Sequence, residues 1–377
     1  METIISGNVI QSVREQFWYV TEDSSGTPRI FFDNAAGSLV LKQAHAAIER
    51  YSRVSSYGGG LFPDSLVVDD LVEQARASVA MLINAKSPKQ IFTGESTTAV
   101  LRRLAEALLA SLPDRSRIIT SAADHNANID PWRRTAAELG QKQFDVQVMR
   151  FDPATGTVDL NHLEPLADEP VRLVAVSHAS NALGAENPIR EIRELLDRKS
   201  PEALLIVDGV HFIPHGPVDV QAMGADAYVF SSYKIFAQRG LSFACVGDRI
   251  ARLPHYKLAP APDSPPESWE LGFRNPADFA PIIEVVNYLA WLGNECFPAP
   301  STGAVRDQQQ LVKLGQVAIR QYENSLVRAV LDGMDNTPGL RASDSARASL
   351  AHYNTIDEAR EFLEAINRIA NEARSHS

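Results

Sequence analysis

Residues 171–208 read VRLVAVSHASNALGAENPIREIRELLDRKSPEALLIVD. The stretch opens and closes on short runs rich in Val, Leu and Ile, residues 171–177 and 203–208, the texture of strands buried on both faces. Between them Ile189, Ile192, Leu195 and Leu196 recur at helical spacing over residues 188–198. Strand, helix and strand in that order predict two parallel neighbours joined by a crossover. The pattern extends outward through RIFFD (29–33), QIFT (90–93), RIITS (117–121), VQVMRF (146–151), DAYVF (226–230) and LSFACVG (241–247). A helix over 97–111 puts Val100, Leu101, Leu104, Leu108 and Leu109 on one face. Together these runs predict an α/β fold with a mostly parallel sheet covered on both faces.

Past residue 247 the texture changes. KLAPAPDSPP (257–266) holds four prolines and is expected to be a loop. Long helices are expected over 276–292 and 305–331. The last helix opens with Thr355 and Glu358 at capping-box spacing, ahead of Ala359, Phe362, Leu363, Ile366 and Ile369. The expected domains are a large one over 31–284 and a small C-terminal one over 285–377, with residues 1–30 packing on the latter.

The 377 residues carry 36 Lys plus Arg against 47 Asp plus Glu, a net charge of −11. That balance repels nucleic acid and anionic membranes, and no stretch approaches the length of a membrane span, so a cytoplasmic protein is expected. Two cysteines, Cys245 and Cys296, exclude a disulfide framework and a four-cysteine metal site. Neither has a basic neighbour in sequence to stabilise a thiolate.

The chemistry concentrates at the ends of the strand-like runs. Asp208 closes LLIVD and Lys234 sits inside FSSYKIF (230–236). A lysine amine forms a Schiff base with the aldehyde of pyridoxal 5'-phosphate, and a buried carboxylate keeps its ring nitrogen protonated, so that the ring withdraws electrons from a carbanion. TGESTTAV (93–100) places Ser96 and Thr97 at a helix start, where free N–H groups favour a phosphate; taken alone, a plain N-cap is the better reading. His125, in DHNANIDPW (124–132), follows RIITS and can stack on a flat ring. Asn181 and His211 follow two further runs, Asn181 able to reach a phenolic oxygen; Ser231 and Tyr233 offer hydroxyls beside Lys234, and His215 is expected to make turn hydrogen bonds. No second carboxylate or histidine stands at metal-ligand spacing from Asp208, so no metal site is expected.

FFDNAAGSLV (31–40), SAADHNANIDPW (121–132), SHASNALGAENPI (177–189), residues 207–236 and RASLAHYNT (347–355) together resemble, in order, the class V aminotransferase family, above all its cysteine desulfurases and selenocysteine lyases. The resemblance implies the fold type I architecture of pyridoxal-phosphate enzymes, with a seven-stranded sheet and a smaller α+β C-terminal domain, here shortened. It also implies a homodimer with active sites near the subunit interface, and an amino acid substrate handled as an external aldimine. By the same resemblance, Lys234 is the cofactor-linked lysine and proton shuttle, Asp208 the ring-nitrogen partner and His125 the stacking residue. Asn181 and His211 neighbour the phenolic oxygen, while Ser96, Ser231 and Tyr233 match phosphate-binding positions. Arg347 matches the arginine that pairs with the substrate carboxylate; read alone, it is a surface arginine.

Two departures stand out. Where desulfurases carry a strand-rich stretch and a mobile loop with the sulfur-accepting cysteine, residues 332–346 are short and cysteine-free. WELGFRNP (269–276) has Phe273 where the family has a threonine reaching the neighbouring subunit's phosphate. The expected activity is therefore a desulfurase-like elimination without a persulfide cysteine. The alternatives are an aminotransferase, a cyclase or an epimerase, or a non-catalytic relative that holds the cofactor. Specificity is expected from residues 57–64 and the region near Phe273.

Overall fold

A computed structural model of the protein describes residues 4–5, 7–55, 58–272, 274–299, 305–334 and 347–375. Seven strands form one sheet: β1 (Ile91–Gly94), β2 (Arg117–Ser121), β3 (Asp145–Met149), β4 (Val171–Ser177), β5 (Leu204–Asp208), β6 (Ala227–Ser231) and β7 (Ser242–Val246), ordered β1-β7-β6-β5-β4-β2-β3. The β2–β3, β2–β4, β4–β5 and β5–β6 ladders are parallel; β7 is antiparallel to both β1 and β6. Only β7 runs against the rest, so the C-terminal ends of the other strands share one edge. In open α/β sheets that edge is where ligands bind.

The helices, in chain order, are α1 (Asn8–Glu15), α2 (Lys42–Tyr51), α3 (Pro63–Leu82), α4 (Thr97–Ser111), α5 (Asp130–Glu138), α6 (Leu160–Leu166), α7 (Ile189–Lys199), α8 (Asp248–Ala251), α9 (Ala280–Cys296), α10 (Gln308–Met334) and α11 (Ile356–Ser375). Helix α4 seats Val100, Leu101, Leu104 and Leu108 in one core cluster with Phe92, Val229 and Ala244 of the sheet and with Trp132 and Trp269. Helix α7 buries Ile189, Ile192, Leu195 and Leu196, the face its spacing predicts. Among the described residues no helix is long and apolar enough to cross a membrane.

The chain divides into two compact units: residues 44–214 with 218–286, which hold the sheet, and residues 1–43 with 215–217 and 287–377. Within the second unit Arg14 pairs with Glu358 at 2.8 Å, and the Tyr353 hydroxyl accepts the Leu39 N–H at 2.9 Å. Thr355 and Glu358 close a reciprocal capping box on α11, the Thr355 N–H reaching Glu358 at 3.0 Å and the Glu358 N–H reaching Thr355 at 3.1 Å. Helices α9 and α10 cross at glycines: a Cβ on Gly315 would lie 2.0 Å from the Leu289 carbonyl oxygen, and one on Gly293 2.0 Å from that of Leu311.

Three expectations change. RIFFD is not a strand; Asp33 makes a single parallel bridge to Ser349, and residues 31–43 group with the N-terminal segment instead of the sheet. The helix expected from 276 starts at Ala280, after a 3-10 turn at Pro276–Phe279 in which the Asn275 side chain caps Ala277. The β content of the second unit, among the described residues, is limited to isolated bridges such as Phe17↔Leu41 and Glu22↔Pro28. Residues 335–346 and Phe273, on which the two family departures turn, lie outside the described residues, as does Tyr57.

Candidate active site

One cavity opens at the shared C-terminal edge of the sheet, lined by Ser96, Thr97, Thr98, His125, Ala127, Asp208, Val210, His211, Ser231, Tyr233 and Lys234. The topology explains the gathering. β1 delivers the start of α4, β2 the loop with His125, β5 ends on Asp208, and β6 runs into the 3-10 turn Ser232–Lys234.

Asp208 is 5% exposed, and its Oδ1 accepts the Val210 N–H at 3.0 Å. Burial pushes its carboxyl up to about 7; the Val210 hydrogen bond pulls the other way, the charge of Asp124 adds to the rise and that of Lys234 opposes it. Gly209 follows because nothing larger fits: a Cβ there would meet the Tyr228 ring at 2.1 Å. Lys234 is 6% exposed, with Nζ 5.1 Å from the centroid of the Tyr233 ring. A buried amine and a buried carboxyl thus face one cavity.

Ser96 caps α4, its hydroxyl accepting the Ala99 N–H at 3.2 Å. The cap and a phosphate grip are compatible, since that hydroxyl still holds a proton to donate. Thr97, Ser231 and Ser242 form a buried chain of hydroxyls with both links at 2.7 Å. Three protons and two links leave one O–H free to point out of the chain. The Nδ1 of exposed His125 accepts the Ala127 N–H at 3.0 Å, so Nδ1 carries no proton in this arrangement and the ring is held in orientation.

Two expected site residues are not in this lining. Asn181 sits half-buried in the turn after β4. Arg347 belongs to the other unit, its side chain 41% exposed and 3.5 Å from Asp33. His215 does not serve a turn: its Nδ1 lies 2.7 Å from Glu323 Oε2, in a group with buried His352, whose Nε2 meets the Tyr288 hydroxyl at 2.6 Å. Burial lowers His215 but the Glu323 carboxylate more than offsets it, whereas burial and then the charge of His215 bring His352 down to about 3.

Sequence reading missed Thr98, which sits in the quoted helix start, and Asp124, which precedes His125 and accepts from Asn128 one helical turn on. Among the described residues no cluster of three or more His, Cys, Asp or Glu is arranged to hold a metal.

The residues fit pyridoxal 5'-phosphate: an amine for its aldehyde, a buried carboxyl whose anion wants a cationic partner, and hydroxyls at a helix start for its phosphate. Fold and cavity define a pyridoxal-phosphate-dependent enzyme of fold type I. More particularly, the chain belongs to the aminotransferase class-V family, whose model matches residues 30–258. A cysteine desulfurase of Escherichia coli (strain SE11) is 28% identical over 341 residues, 88% of this chain and 79% of that protein. Among solved structures, the apo cysteine desulfurase from Thermococcus onnurineus NA1 has a TM-score of 0.74 at 22% identity over 90% of this chain and 94% of its own. The cysteine desulfurase CsdA from Escherichia coli has a TM-score of 0.73 at 20% identity, over 97% and 98%.

Proposed function

We propose that this enzyme takes an amino acid with a leaving group on its side chain and eliminates that group, as a desulfurase-like lyase that uses no persulfide cysteine. The observation that carries the reading is the burial of Lys234 and Asp208 in one cavity at the ligand-binding edge of the sheet. When bound, the cofactor supplies the electron sink for a carbanion at the substrate's α-carbon.

The chain's own residues do the rest. Lys234 Nζ would hold the cofactor through its aldehyde and would be the group placed to carry the substrate's α-proton. Asp208 would hold a proton at the ring nitrogen, and His125 would be the residue to stack on the ring. Ser96, Thr97, Ser231 and Tyr233 would hold the phosphate, and by the family resemblance Asn181 and His211 would neighbour the phenolic oxygen. By the family resemblance, Arg347 would pair with the substrate's α-carboxylate in a two-point fork. Burial raises the Cys245 thiol to about 12; burial and then the charge of Glu295 raise Cys296 to about 11, which supports a route needing no thiolate. The working form proposed is a cytoplasmic homodimer with the sites near its interface, checked by sedimentation and by fractionating cells.

Borohydride reduction of the yellow holoprotein should fix the cofactor on Lys234, and a peptide map locates it. A protein that stays colourless with added pyridoxal phosphate would sink the reading. L-cysteine and other amino acids with side-chain leaving groups are then screened by their spectral shift. Ammonia and a keto acid lacking the side-chain group indicate elimination; an amino group left on the cofactor indicates transamination instead.

A further inference from the structure

A second buried carboxylate stands beside the cavity without lining it. Asp124 is 9% exposed. Its Oδ2 accepts the Ser177 N–H at 2.9 Å and an Asn128 side-chain N–H at 2.7 Å, while Oδ1 accepts the Ser177 hydroxyl. Three donors on one buried carboxylate oppose the cost of burying its charge and hold it in one place. Ser177 is the register partner of Asp208 in the β4–β5 ladder, and the next N–H, from His178, donates to the Asp208 carbonyl at 2.8 Å. His125 follows Asp124 directly in the chain. One side chain therefore ties the loop that carries the stacking imidazole to the strand end that carries the ring-nitrogen partner.

Among the described residues, His125 follows Asp124 in the chain and His211 lines the cavity with Asp208. Lys234 from the turn after β6 and Tyr228 on β6 act electrostatically with Asp208. The Tyr228 hydroxyl lies 3.2 Å from His178 Nδ1, and Glu186 Oε1 lies 4.0 Å from His178 Nε2. Of these only Lys234 is a fixed cation, and in the proposed function its amine is joined to the cofactor. When ionised, Asp208 in the cavity lining and Asp124 behind it would add negative charge on the side where the ring nitrogen would sit, and charge of that sign favours its protonated form.

We propose that Asp124 is a positioning residue for cofactor chemistry: it fixes His125 and Asp208 relative to each other, and its charge adds to that of Asp208 in keeping the ring nitrogen protonated. This rests on the assignment of the cavity to pyridoxal phosphate. The test compares wild type with Asp124→Asn, which keeps an acceptor for the Ser177 N–H and removes the charge. The absorbance of the bound cofactor is followed against pH, with pyridoxal phosphate itself as the probe. In the Asn variant Lys234 should still be labelled by borohydride, while the pH midpoint of the spectral change moves down by about one unit. A purely structural role leaves that midpoint in place, and an unchanged titration overturns the proposal. Should the Asn variant not fold, Ser177→Ala decides: losing one donor raises the proton affinity of Asp124, so a smaller downward shift is expected and no shift refutes it. A wild-type chain that takes up no cofactor would sink the cavity assignment and this inference with it.

Discussion

At the residue scale, Asp208 couples function to stability. In the cofactor-free protein its carboxyl sits at about 7, pushed up chiefly by burial. Below about pH 4 the folded and unfolded chains both hold its proton; between about 4 and 7 only the folded chain does. The stabilising contribution of the protonated group is thus complete in acid and lost as pH rises through 7, at most about 4 kcal/mol over the window. Burial raises Asp124 too, to about 6, so it acts in the same direction. Asp208→Asn apoprotein should therefore resist urea better than wild type at pH 8 and no better at pH 4, while binding pyridoxal phosphate more weakly. A variant that loses stability equally at both pH values would contradict the assigned burial cost. Asp208 was legible because an aspartate ending an apolar run has few local uses. Asp124 was not, because its partners Ser177 and Asn128 come from a different strand end and from the next turn of its own loop.

At the element scale, α4 and the α9–α10 pair make separate predictions. The Ser96 hydroxyl both caps α4 and lines the cavity, and two substitutions separate those roles. Ser96→Ala should cost about 1 kcal/mol of stability and Ser96→Gly only a few tenths, since Gly is a tolerated cap. If the hydroxyl also donates to the phosphate, both variants should lose cofactor affinity equally, by about fivefold to tenfold. Affinity that tracks stability instead would leave Ser96 a cap alone. For Gly315, helix propensity favours alanine by about 1 kcal/mol, but the Leu289 carbonyl 2.0 Å from the new Cβ forces the helices apart. Gly315→Ala should lower stability by about 2 to 3 kcal/mol, read as a drop in the urea midpoint. An unchanged midpoint would refute the close crossing. Helices α4 and α7 were legible from periodicity, and α11 from its capping box. RIFFD was not: its Phe31 and Phe32 look like strand residues, yet a strand needs a partner, and a local run cannot report that its partner is one bridge to Ser349.

At the scale of the whole molecule, the proposed route without a persulfide rests on the state of the two cysteines. The chain has two cysteines, one in β7 and one closing α9, and no more. A persulfide needs an attacking thiolate, and reactivity follows the thiolate fraction. With Cys296 raised to about 11 and Cys245 to about 12, roughly one molecule in a thousand carries a thiolate at Cys296 near pH 8, and about a tenth of that at Cys245. Burial dominates at both, and Glu295 adds repulsion at Cys296. Replacing Cys245 by Ala and Cys296 by Ser in one protein should leave turnover of the substrate found by the spectral screen within about twofold, because the proposed elimination needs no sulfur acceptor. Thiol labelling of the wild type should be slow at pH 8 and accelerate toward pH 11 at Cys296 before Cys245. A loss of more than about tenfold in the double variant, with cofactor spectrum and unfolding midpoint intact, would restore a thiol to the mechanism. The same loss accompanied by a shifted midpoint would place the defect in the packing of β7 and leave the route unchanged.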